Sequence, residues 1–206
     1  MKSPTAATER PALSDDTALL ALRQATRERH ARIDTLMDLR RMGDRARYGR
    51  ILQAFHAFLA PWEQSVANAL PAHRHAWLHG RSRRHFLQED LAALALPPLA
   101  AKPAVPRLQG NAAAWGSLYV IEGSALGGQV ISRALAGAGL APGMGSSYFH
   151  GWGDDTPGMW RDFRSELRSE LAAPACVETA CAAACATFDA LTAHLEQTLD
   201  ERVTFA

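Results

Sequence analysis

The stretch NAAAWGSLYVIEGSALGGQVISRAL, residues 111–135, reads as one long helix interrupted only by its glycines. Its apolar residues recur at helical spacing, and no strand-like alternation competes. Gly123, Gly127 and Gly128 each cost roughly 1 kcal/mol against alanine at an exposed interior position, so their clustering needs a reason. On a helical wheel Gly116, Gly123, Gly127 and Ala134 fall within about 40 degrees of one another, with Ser124 and Gly128 bordering the strip. The helix thus carries a track without side chains. A phosphate-binding turn is excluded, because GSALGG fits neither GxGxxG nor GxxxxGK[ST] and no strand precedes it. Close helix packing explains Gly123 and Gly127. A broad planar ligand explains them too, and also the Gly127–Gly128 pair, which invites a kink. Both readings stay open on spacing alone.

The rest of the chain is read as helical as well, which predicts a single all-α domain. A first helix runs from a cap at Asp15 or Asp16 to about Leu39, and a second from about Asp44 to Leu70, kinked or restarted at Pro61. Ser82 caps a shorter helix with Phe86, Leu87, Leu91 and Leu94 inward. PPLAAKPAVP, 97–106, is a linker, and the glycine-rich residues 137–155 form an irregular loop. Helices follow from about Thr156 to Leu171 and from Pro174 to about Arg202. Residues 1–14 read as a mobile tail and 15–206 as the domain.

Composition sets limits. The chain has 206 residues, 48% of them hydrophobic, and a formal net charge of +1. One core is supported, and no overall charge argues for nucleic acid or a membrane surface. Cys176, Cys181 and Cys185 are odd in number and form no CxxC, so they read as small core residues in a reducing compartment. No secretory pattern opens the chain, and the most apolar run, 91–101, is broken by Pro97 and Pro98. These features predict a soluble cytoplasmic protein.

In the first helix Leu19, Leu22, Thr26, His30, Ile33 and Met37 share one face, which points His30 inward. Arg23 lies two turns before it and Asp34 one turn after. A ligating histidine gives its other N–H to an oxygen acceptor, so the three read as charge anchor, metal ligand and orienting carboxylate. A core histidine with a locally satisfied N–H is the plainer reading. His75 and His79, one turn apart if helical, lack the Cys or HExxH context of a metal site.

Together these residues resemble the haem oxygenase family. LRQATRERHARID, 22–34, resembles the segment bearing the family's proximal haem ligand. His30 falls on the ligand, Arg23 on a propionate-binding basic residue and Asp34 on the adjacent carboxylate. LYVIEGSALGGQVI, 118–131, resembles its kinked distal helix, so Gly123, Gly127 and Gly128 are expected against the haem face and Tyr119 at the cofactor. FRSEL, 163–167, puts Arg164 on a second propionate arginine, and Phe188 matches an aromatic lining the pocket. The resemblance spans about residues 16–200, and its distal helix is closest to bacterial members, including those that make bilin for bacteriophytochromes.

That family cleaves haem, both cofactor and substrate, at a meso carbon to biliverdin, iron and carbon monoxide. The resemblance implies dioxygen, an external reductase or ferredoxin, and a bacteriophytochrome as biliverdin acceptor. No flavin or nicotinamide motif is present. Arg81, Arg83 and Arg84 would receive the electron donor, unless they only form a solvated helix start. One departure stands out. Many members carry an aspartate after the first distal glycine, where it holds a water network, and here that position is Ser124. Glu122 and Gln129 are sequence neighbours that the wheel does not aim at the pocket. Ser124 therefore keeps a non-enzymatic haem carrier or sensor in view. A di-iron oxidase of similar architecture is disfavoured, since no ExxH occurs.

Overall fold

The computed structural model describes residues 17–100 and 103–200. The expected tail at 1–14, the caps at Asp15 or Asp16, and the helix end at Arg202 lie outside the described residues. Eight α-helices are present among the described residues: α1 Thr17–Met37, α2 Arg45–Ala69, α3 His75–Gly80, α4 Arg84–Ala93, α5 Gly110–Gly137, α6 Ser147–His150, α7 Thr156–Glu170 and α8 Pro174–Asp200. No strand occurs among those residues.

Local chemistry sets several of these boundaries. The Asp44 carboxylate accepts the Arg47 N–H at 3.1 Å, capping α2. The Arg47 guanidinium donates back to the Leu36 carbonyl, which ties the end of α1 to the start of α2. Pro157 stands in the first turn of α7, where no N–H is needed. α2 runs through Pro61 without restarting there. Phe58, Leu59, Trp62 and Val66 are all buried around it. Their burial, at about 1.5–3 kcal/mol each, outweighs the roughly 3 kcal/mol that an internal proline costs.

α8 is the centre of the bundle. α1, α2 and α5 all pack on it, while α1 and α5 make little contact with each other. α8 is the one helix among the described residues long and apolar enough to cross a membrane, but its burial in the bundle explains that composition. Gly116 allows the closest approach: a Cβ there would collide with the Ala180 backbone. Cys176, Cys181 and Cys185 are half-buried free thiols on α8, and Cys185 donates to the Ala25 carbonyl at 3.4 Å. A satisfied polar string crosses the core. Trp62 Nε1 donates to Ser117 Oγ at 2.8 Å, and Ser117 meets Thr187 at 2.7 Å.

The loop at 137–155 is less irregular than its glycines indicate, because a distant residue caps α6. Asp90 on α4 is fully buried and accepts the Ser147 and Tyr148 N–H groups at 2.7 and 2.8 Å. Burial pushes the Asp90 carboxyl above its ordinary value, and the two N–H groups pull it back. Asp90→Ala orphans both buried donors and is expected to cost about 2–5 kcal/mol, read as a lower urea midpoint.

Candidate functional site

α1 and α5 both pack on α8 and make little contact with each other, so the two helices are candidate walls of a site floored by α8. His30 lies on the α1 wall. It was expected inward among apolar neighbours, but its side chain is 62% exposed. The face itself is correct: Leu19, Thr26 and Met37, on either side of His30 along that face, are buried. The His30 Nδ1 lies 3.0 Å from Asp34 Oδ2. With that proton given to the carboxylate, the Nε2 lone pair is free, the tautomer a metal ligand requires. Phe188, buried on α8, meets the imidazole edge-on at 5.9 Å between ring centroids.

On the α5 wall the bare positions separate into distinct uses. A Cβ on Gly127 would meet nothing within 4 Å, and Leu126 and Val130 beside it are exposed apolar side chains. This is the open part of the track. A Cβ on Gly123 would lie 3.7 Å from the Trp160 ring, in ordinary contact. Gly128, expected on the same surface, is turned away: a Cβ there would lie 2.7 Å from the Phe149 carbonyl oxygen. Its bareness lets α6 approach α5. The sequence reading missed Trp160, which stacks on Phe163 at 5.4 Å; their i, i+3 spacing in an otherwise polar helix was the available signal.

Cations lie on or beside these helices. Arg23 and Thr26 lie beside the Tyr119 hydroxyl, whose acidity burial lowers and these two neighbours partly restore. Arg164 is half-buried on α7, which packs on α5 and touches α1, and its Nε has no hydrogen-bond partner among the described residues. Arg81 and Arg83, expected on an outer surface, are buried instead. Arg81 forks onto Glu122 at 2.7 and 3.0 Å, donates to the Met159 carbonyl at 2.8 Å and lies over Trp77. Arg83 donates to the Ile121 carbonyl at 2.6 Å and to Ser124 Oγ at 2.8 Å. Both were misread because a basic run at a helix start ordinarily faces water; here α5 packs over it. Arg84 remains accessible, 3.6 Å from Glu63. Glu122 and Gln129 are committed elsewhere, the latter donating to the Gly153 carbonyl at 3.1 Å. His75 Nε2 pairs with the Ala67 carbonyl, and no cluster of three or more His, Cys, Asp or Glu residues able to hold a metal exists among the described residues.

A ring nitrogen left free on His30, a bare apolar strip on α5 and an unpartnered guanidinium on α7 are the groups that a flat iron macrocycle bearing carboxylates needs. The haem oxygenase family model matches residues 16–197. The chain is 37% identical over 142 residues, 68% of its length and 84% of the relative's, to a haem oxygenase of Xanthomonas campestris pv. campestris. Its fold is similar to the crystal structure of NO- and CO-bound haem oxygenase from Neisseria meningitidis, with a TM-score of 0.73 at 20% identity, covering 89% of this chain and 92% of that one. The chain belongs to the haem oxygenase family, and it is an enzyme of haem degradation.

Proposed function

We propose that haem is held in the gap between α1 and α5, with His30 as its iron ligand and the Gly127 face opposite. The observation that carries this is the pairing of His30 Nδ1 with Asp34, which leaves Nε2 free to bind a metal. Haem, when bound, supplies the iron that activates dioxygen and is itself cleaved at a meso carbon to biliverdin, iron and carbon monoxide.

The chain's residues then have separable tasks. Asp34 fixes the imidazole tautomer and raises its basicity. Phe188 sets the ring from the α8 side. Arg164 and Arg23 offer permanently charged forks to the propionates, and so select the rotational setting of the macrocycle. Tyr119 holds Arg23 near the floor. Gly127 and the apolar Leu126 and Val130 exclude water from the opposite side, while Gly123 contributes through the Trp160 edge that it admits. Gly128 supports the wall from behind.

Electrons come from an external reductase or ferredoxin. With Arg81 and Arg83 buried, only Arg84 of that trio is available for docking. A bacteriophytochrome as biliverdin acceptor rests on the wording of the distal helix, and a cytoplasmic location on composition.

A haemin titration tests the site. Wild type is expected to give a stoichiometric, imidazole-ligated complex. Arg164→Ala is expected to weaken haem binding by about tenfold, since one charge-assisted pair contributes about 1.5–3 kcal/mol. Arg164→Lys should recover only part of that, because an ammonium lacks the fork. Unchanged affinity in both variants would remove Arg164 from the site.

A further inference from the structure

We propose that Arg83 is the positioning residue that allows Ser124 to stand where related proteins carry a distal aspartate. The proposal deepens the haem-site reading and rests on it.

Arg83 is 5% exposed at the start of α4, and its Nη2 reaches two groups on α5, the Ile121 carbonyl and Ser124 Oγ. Ser124 also donates its own proton to the Ile121 carbonyl at 2.7 Å. A hydroxyl has one proton and two acceptor sites. Here the proton is spent on the helix backbone and one acceptor site on Arg83. What remains is a single lone pair, so Ser124 is an acceptor only. That is the hydrogen-bonding character of an ionised carboxylate, obtained without its charge.

The complementary donor is nearby. Tyr148 on α6 is 1% exposed, lies under the Arg83 guanidinium at 4.9 Å, and has Ser124 among the groups acting on its hydroxyl. That hydroxyl has no hydrogen-bond partner among the described residues. The acceptor on Ser124 and the donor on Tyr148 stand side by side and complete a polar strip between α5 and α6. Arg83 brackets both, by hydrogen bond and by its position over the ring.

Arg83 also brings a buried positive charge to the residue after Gly123. The nearest opposing carboxylates are engaged elsewhere: Glu63 with Ser82 at 2.6 Å and with Arg84, Glu122 with Arg81, and Asp90 with the α6 N–H groups. An aspartate would place negative charge at this point, and this chain places positive charge behind a neutral acceptor. A neutral acceptor under a cation thus stands where an anion would.

The test uses the full-length protein loaded with haemin, reduced and exposed to carbon monoxide. A nearby cation draws electron density onto the CO oxygen and weakens the C–O bond, so its loss raises the stretching frequency. Arg83→Met, of similar bulk and no charge, is expected to bind haem, to raise the C–O stretch, and to slow biliverdin formation by about 10- to 100-fold, the scale of losing an outer supporting hydrogen bond. Arg83→Lys should keep the stretch close to wild type. A merely structural Arg83 would alter urea stability without moving the stretch, and a folded, haem-loaded Arg83→Met with unchanged stretch and rate overturns the proposal. If that variant does not fold, Ser124→Ala decides: a slower rate supports the proposal, and an unchanged rate and stretch overturn it. Failure of wild type to bind haem through His30 would instead overturn the site reading beneath it.

Discussion

His30→Ala is expected to abolish imidazole ligation of bound haem and to cut biliverdin formation by more than about 100-fold. The reasoning starts from exposure. The side chain is 62% exposed and its contacts are Asp34 and the edge of Phe188. Alanine is also the better helix former by several tenths of a kcal/mol, so α1 has little to lose in stability. A loss of activity without loss of fold therefore reports ligation rather than packing. Asp34→Asn should act in the same direction but less strongly, about 10- to 100-fold, because it weakens the imidazole without removing it. Electronic and electron paramagnetic resonance spectra of the ferric complex distinguish the two. An unchanged axial ligand in His30→Ala would remove this residue from the iron.

The second large effect is a contrast between adjacent glycines. Gly127→Leu is expected to weaken haem binding by about 10- to 100-fold, because its side chain would fill the space in which a Cβ now meets nothing within 4 Å. The same substitution should leave the protein equally or more stable, by up to about 1 kcal/mol, since it removes a glycine from a helix. Gly128→Ala should do the opposite. Its Cβ would stand 2.7 Å from the Phe149 carbonyl oxygen, and backbone cannot rotate aside as a side-chain tip can. A stability loss of about 1–3 kcal/mol is expected, with haem affinity altered only as far as α6 shifts. Urea melts and haemin titrations on both variants give four numbers. If Gly128→Ala weakens haem binding without destabilising the fold, the two glycines share one surface after all.

Much of the fold was legible because long amphipathic helices with proline and aspartate at their starts announce themselves locally. Asp44 and Pro174 fall where the sequence reading puts them. The site was legible in part. The wheel identified the His30 face but not the exposure of His30 on it, since periodicity gives direction and not coverage. It grouped Gly123, Gly127 and Gly128, but what each glycine meets is decided by residues far away: Trp160, open space and Phe149. Arg83 was hidden for the same reason. Its partner Ser124 is 41 residues distant, and nothing in RSRRH tells a buried arginine from a solvated one. Asp90, a fully buried carboxylate capping a four-residue helix, was invisible until α4 and α6 were placed together.

The most direct measurement of the central claim is a single turnover of the stoichiometric haem complex. Ascorbate or a reductase supplies electrons under dioxygen, and the haem absorption, biliverdin and carbon monoxide are followed together. Steady loss of the Soret band, with biliverdin and carbon monoxide appearing in equal amounts, is the predicted result, despite serine at position 124. A stable oxygenated complex that neither bleaches nor releases carbon monoxide would contradict it and make the protein a haem carrier on this fold.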